Sequence, residues 1–293
     1  MRVIRGHIML LICLLIRIPV YAGIPHHALI ELYPESARQI AFLEQGRFDL
    51  IPGQSRDDRW MAALPEDIEY LQANGFRFEI LIPDMEAHYA RRARSEGHLD
   101  DMGGYKTFAE IEAAMDLIHS EHPDLTTEKF SIGSSVEGNP IWCMKLSDNP
   151  GIDEPELELL FTSAIHAREV ITVELLFVFF DYLTDNYLPG SGNEATYLLE
   201  NREFYWIPCV NPDGYLYNEL TFPEGGGMWR KNRRDNGGGV FGVDLNRNWS
   251  IGWGFDDEGS SPDSSSISYR GPYAFSEPET DSLRLFIESR HFM

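Results

Sequence analysis

Apolar and polar positions alternate along residues 24 to about 88 in a pattern that runs twice. Ala28-Leu-Ile-Glu-Leu-Tyr33 has the period of two expected of a half-buried strand. Residues 34–44 then read as a helix opened by Pro34 and stopped near Gly46, with Phe48-Asp-Leu-Ile51 as a returning strand. The second copy runs through Arg59-Trp-Met-Ala-Ala-Leu64, a helix over 65–73 opened by Pro65, Gly75, and the alternating Phe76-Arg-Phe-Glu-Ile-Leu81. Proline at a helix start and glycine past its end are the expected punctuation. Strand–helix–strand twice over is the split βαβ, ferredoxin-like plan, so a small α+β domain is expected over residues 23–88. Residues 89–102 are polar and contain Arg91-Arg92-Ala-Arg94. They read either as an inter-domain linker open to proteolysis or as a solvated helix extension. From about 103 the periods change. Helices are expected over 108–118, 170–186, 194–200 and 278–289, and strands over 127–132, 141–146, 157–165 and 203–210. Strands mixed with long helices predict an α/β domain, a mixed sheet flanked by helices, over 103–293.

Composition narrows this picture in three places. At 43% hydrophobic and 12% aromatic residues, the 293-residue chain can bury a sizeable core. A net charge of −23, from 24 basic and 47 acidic side chains, repels phosphate backbones and anionic lipid, so nucleic acid is not an expected partner. Residues 1–22 carry Arg2 and Arg5, an apolar stretch over 8–20 and Val20-Tyr21-Ala22. That is the pattern of a secretory signal peptide, so a secreted or periplasmic product without stable membrane association is expected. Beyond it two cysteines remain, Cys143 and Cys209, either buried thiols or one bridge.

Candidate chemistry concentrates after the strand expected over 157–165, which ends in His166-Ala-Arg168-Glu169. An imidazole and a carboxylate three residues apart suit a zinc ion, whose catalytic sites take nitrogen and oxygen donors and keep a position open. On its own the pair is equally a helix-start glutamate beside an unrelated histidine. Trp229-Arg230-Lys-Asn-Arg233 is basic in an acidic chain, and Asp244-Leu-Asn246-Arg247-Asn248 offers a guanidinium fork with a flanking amide, suited to a carboxylate. Asn211-Pro-Asp-Gly214 reads as a turn. Asp256-Asp-Glu258 and Asp263 read as a solvated acidic loop, or less simply as calcium ligands.

Taken in order, these four motifs resemble the zinc carboxypeptidase family of the carboxypeptidase A/B type. A weaker likeness starts at Tyr105 and Glu110-Ile111 and passes through Ile132-Gly133-x-Ser135-x-x-Gly138. The likeness covers about residues 103–290, and the preceding small domain looks like the family's propeptide. It implies that His166 and Glu169 are two of three ligands to one zinc ion, and that Arg233 stabilises the oxyanion. It implies that Asn246 and Arg247 clamp the substrate's C-terminal carboxylate, with Arg168 as a further substrate-binding group. The implied protein is a secreted zymogen that removes the last residue of peptides or proteins. The family's third ligand, a histidine on a later strand, and its glutamate base are expected past Met293. The chain as given is therefore expected to be truncated, to bind zinc weakly and to turn over little. His291, at a helix end, is not expected to substitute. Two alternatives stand beside this reading: a zinc-dependent N-acyl amino acid deacylase, and a catalytically dead module that binds C-terminal carboxylates.

Overall fold

The structure is a computed structural model and describes residues 26–43, 47–52, 59–95 and 101–292. The signal-like segment therefore lies outside the described residues. The first domain is built from β1 (Ala28–Tyr33), α1 (Ala37–Leu43), β2 (Asp49–Pro52), β3 (Arg59–Ala63), α2 (Pro65–Ala73) and β4 (Arg77–Ile82). Its sheet order is β2-β3-β1-β4, antiparallel throughout, as a split βαβ arrangement requires. Alternation puts Ile30, Leu32, Met61 and Ala63 on the face covered by Leu43, Phe48 and Leu71. Pro65 opens α2 without wasting an N–H, and the Asp67 carboxylate accepts the Leu64 N–H at 3.1 Å. The segment read as linker or helix extension begins as a helix, α3 (Met85–Ser95).

The second domain starts with α4 (Phe108–Glu121), closed at its N-terminus by a Thr107/Glu110 capping box. Strands β5 (Phe130–Ser134), β6 (Pro140–Leu146) and β7 (Leu157–Thr162) precede α5 (Ile171–Asp185) and α6 (Glu194–Leu199). Strand β8 (Arg202–Ile207), α7 (Pro212–Thr221) and α8 (Pro278–Glu288) complete it. The sheet order is β5-β6-β8-β7, with β7 and β8 parallel and the other pairs antiparallel. One face packs under α4, α5 and α6, where Phe180 stacks on Trp206 at 4.6 Å between ring centroids. The other face carries Cys143, Tyr205 and Ile207 against Leu245, in a short tight helical turn, and Leu283 of α8. Helices on both faces are what the mixed periods predicted, and Cys143 and Cys209 are free, buried thiols. The Asp213 carboxylate pins the turn of the β5–β6 hairpin from α7. It accepts the Ser135 hydroxyl, the Asn139 amide at 2.8 Å and the Glu137 N–H at 2.8 Å. The two domains touch where Met228 inserts beside Leu29, Ala62 and Met85.

Candidate active site

Strand β7 ends three residues earlier than its apolar run suggests, because Ala164 adopts φ 45°, in the left-handed region. That bend is held from several sides. Ser163 donates its N–H to Ile207 (3.1 Å) and its hydroxyl to the Pro208 carbonyl (2.5 Å), and Ala164 donates its N–H to the Thr172 hydroxyl (3.1 Å). The chain leaves the parallel β7–β8 pair at its C-terminal end, where α/β sheets place their sites, and delivers His166 there with 6% exposure. One imidazole nitrogen, Nδ1, lies 2.9 Å from Glu169 Oε1, and the other, Nε2, lies 3.2 Å from Asp244 Oδ1. Asp244 caps a single turn of tight helix, Leu245–Arg247, and accepts the Asn246 N–H at 3.0 Å on Oδ1. Its Oδ2 accepts Arg230 Nε at 3.3 Å and Nη2 at 3.0 Å. Burial alone would raise the pKa of Asp244, but the His166 hydrogen bond and the Arg230 charge bring it down to about 2. Against burial, the hydrogen bonds that the ring donates to Asp244 and Glu169 shift His166 upward.

Asn211 joins the pieces. Read as part of a turn, the Asn-Pro-Asp-Gly run is instead the start of α7. Asn211 Oδ1 caps the Gly214 N–H at 3.0 Å, and its Nδ2 donates to the carbonyls of Ile165 (3.3 Å) and Arg230 (3.4 Å). The Ala167 N–H also reaches the Arg230 carbonyl at 3.1 Å, so the basic run is tied to the histidine turn by its backbone. Only glycine fits at 214: a Cβ there would lie 2.6 Å from the Lys231 carbonyl and 2.8 Å from Ala167 Cβ.

Of the residues singled out from sequence, His166 and Glu169 converge, while Arg233 lies elsewhere. Its guanidinium carbon sits 3.8 Å from the ring centre of Tyr217 and 4.6 Å from those of Trp229 and Phe241. The guanidinium that reaches the histidine cluster is Arg230. Arg233 was expected there, but residues 228–234 form no helix or strand, so spacing does not dictate direction, and Arg233 packs against three rings instead. Arg168 is paired bidentately with Asp49 of β2, its Nη2 2.8 Å from Oδ1 and its Nη1 on Oδ2. Arg247 donates to the carbonyls of Gly259 (2.6 Å) and Asn246 (3.1 Å). With Asn246, Trp249 and Trp253 it lines a hollow of about 320 Å³. A larger cleft of about 860 Å³ runs between the domains, with Arg230, Lys231, Arg233 and Phe241 on one wall and Asp49, Glu66 and Asp67 on the other. His291 lies at the far end of β7, its N–H on Glu158. Asp257 pairs with Arg270 and Asp263 with Ser265, so these acidic side chains turn toward their own loop. Arg230 and Asp244 were both inside motifs already marked. Only their contact distinguishes them, and that contact joins residues 14 apart in sequence.

Comparison with known proteins agrees with this architecture. The zinc carboxypeptidase family profile matches residues 111–293, well over half of the chain. This chain belongs to the zinc carboxypeptidase family. It is 36% identical over 213 residues to a zinc carboxypeptidase of Saccharothrix mutabilis subsp. capreolus, covering 69% of this chain and 47% of that protein. It is 33% identical over 249 residues to carboxypeptidase A2 of Rattus norvegicus, covering 82% and 57%. It thus spans about half the length of the curated relatives it matches. Among solved structures, carboxypeptidase A from Helicoverpa armigera superposes with a TM-score of 0.72 at 23% identity, over 92% of this chain and 68% of that one. Thrombin activatable fibrinolysis inhibitor gives 0.70 at 26% identity, over 92% and 70%.

Family members use zinc, and the donor set here fits it in part. His166 Nδ1 and Glu169 face each other, and Asp244 holds the second ring nitrogen from a fully buried position, the outer contact that orients a metal-bound imidazole. Among the described residues no third histidine, cysteine or carboxylate side chain joins these two closely enough to ligate one ion with them. No described helix is long and apolar enough to cross a membrane.

Proposed function

We propose that this member of the zinc carboxypeptidase family is a secreted precursor. In this reading the enzyme removes the C-terminal residue of peptides or proteins, and residues 103–293 supply two of its zinc ligands and its carboxylate clamp. The observation that carries this reading is the fixed histidine: a carboxylate on each ring nitrogen, with Arg230 locked onto the inner one. His166 Nδ1 and Glu169 would hold the zinc ion. When bound, it supplies a polarising charge and a water of lowered pKa. Asp244 would keep the proton on Nε2, leaving the Nδ1 lone pair for a metal ion held together with Glu169. Arg230 places a cation beside the same centre, where negative charge develops on a carbonyl oxygen. Arg247 and Asn246, in their own hollow, suit a free carboxylate.

The small domain acts as an inhibitor in this reading, because the Asp49 carboxylate already occupies the Arg168 fork that a peptide carboxylate would use. Family membership favours the peptidase over an amino acid deacylase.

The test adds an N-blocked peptide, with free or amidated C-terminus, to the zinc-loaded chain and follows binding and released amino acid by mass spectrometry. We expect at least tenfold tighter binding of the free form, loss of that preference in Arg247→Ala, and release that is slight from this chain and absent in His166→Ala. Equal binding of the two peptides would sink the reading. Binding of the free form that survives a chelator, without release, would favour the carboxylate-binding module.

A further inference from the structure

The larger domain contributes four cations to the two hollows, and three of them donate to oxygens of the chain: Arg230 to Asp244, Lys231 to the carbonyls of Ser264 and Ser266, and Arg247 through Nε and Nη1 to those of Gly259 and Asn246, with Nη2 left over for a ligand. Arg233 differs. Among the described residues it makes no hydrogen bond or ion pair, although it is half-buried and lines the larger cleft. Tyr217, Trp229 and Phe241 hold its guanidinium carbon at 3.8–4.6 Å from their centroids. Rings at that distance interact with the face of the cation and leave its five N–H donors unspent. A caged guanidinium has also surrendered its rotamer freedom before any ligand arrives, so an incoming anion need not order it.

We propose that Arg233 anchors a subsite for an acidic side chain of the peptide, on the N-terminal side of the residue removed. This rests on the carboxypeptidase reading. Arg247 and Asn246 claim the terminal carboxylate in the smaller hollow, so the rest of the peptide runs through the larger one, where Arg233 waits. A carboxylate complements the fork in plane and charge. One carboxylate that feels the Arg233 charge is Glu137. Burial and Asp213 raise its pKa while Arg233 lowers it, and no hydrogen bond joins Glu137 to Arg233.

The experiment measures anisotropy of labelled, N-acetylated peptides on the zinc-loaded full chain. Each peptide carries either glutamate or glutamine in the three residues before the last, and each is made with a free and an amidated C-terminus. The glutamate peptides are expected to bind roughly two- to fivefold tighter at low salt, the range of partly exposed charged pairs, and the gap should narrow in high salt. Arg233→Gln should bind both sequences alike, Arg233→Lys should retain part of the preference, and Glu137→Gln should enlarge it. If Arg233→Gln does not fold, the lysine and Glu137 variants decide. Equal affinity for glutamate and glutamine in the parent chain, a preference that persists in Arg233→Gln, or no binding of any peptide overturns the subsite. A glutamate preference that ignores amidation keeps the subsite and sinks the terminal-carboxylate reading; the reverse pattern does the opposite.

Discussion

At the scale of single residues, the site is decided by which groups surround one imidazole. His166 and Glu169 stood out only through the ordered motifs around them, since their i,i+3 spacing alone equally suited a helix-start glutamate beside an unrelated histidine; the structure sets them 2.9 Å apart. Arg230 and Arg233 were not separable by spacing, since both sit in an irregular segment whose direction is set by contacts: a buried carboxylate for one and three aromatic rings for the other. Asp244→Asn is the sharpest test at this scale. It keeps the shape but removes the charge on which His166 and Arg230 both depend. Loss of such an outer partner typically weakens metal binding about 10–100-fold, which zinc titration of the variant against the parent would show. Unchanged zinc affinity would remove Asp244 from the site.

Among the elements, the histidine turn, the start of α7 and the basic run behave as one packed joint. Gly214 is where they come closest, and Gly214→Ala is expected to cost about 1–3 kcal/mol in thermal unfolding, as overpacked cores do. A second prediction comes from α8. Glu279 is fully buried against Asn232 and the Val136 N–H, and burial pushes it up from 4.5 to about 7. Between those values the folded chain holds a proton that the unfolded chain has lost. Stability should therefore fall as pH rises from about 4.5 to 7, by up to about 3 kcal/mol. Glu279→Gln should flatten that slope in denaturant titrations at several pH values. Element positions were readable from hydrophobic period almost throughout. The misplaced edges have local causes: Ala164 turns left-handed and shortens β7, and α3 continues through a polar stretch that looked equally suited to a linker.

Over the whole molecule, the two domains share one cleft, and the contact that closes it joins residues 119 apart, Asp49 and Arg168. No local pattern announces such a pair. Asp49→Ala should free the guanidinium and raise affinity for a peptide with a free C-terminus severalfold, with little change for the amidated form; calorimetry of both peptides checks it. An unaltered affinity would mean that the small domain does not compete at Arg168. Asp213 has a different consequence, felt before the fold exists. Its three donors lie 74–78 residues upstream. At synthesis rates of about 5–20 residues per second, the turn at 135–139 leaves the ribosome roughly 4 to 16 s before the carboxylate that fastens it. For that interval the nascent hairpin has only water to satisfy those donors. The order of translation therefore makes the first strands of the large sheet wait for α7, and slowing synthesis between them would lengthen the time in which a chaperone can bind.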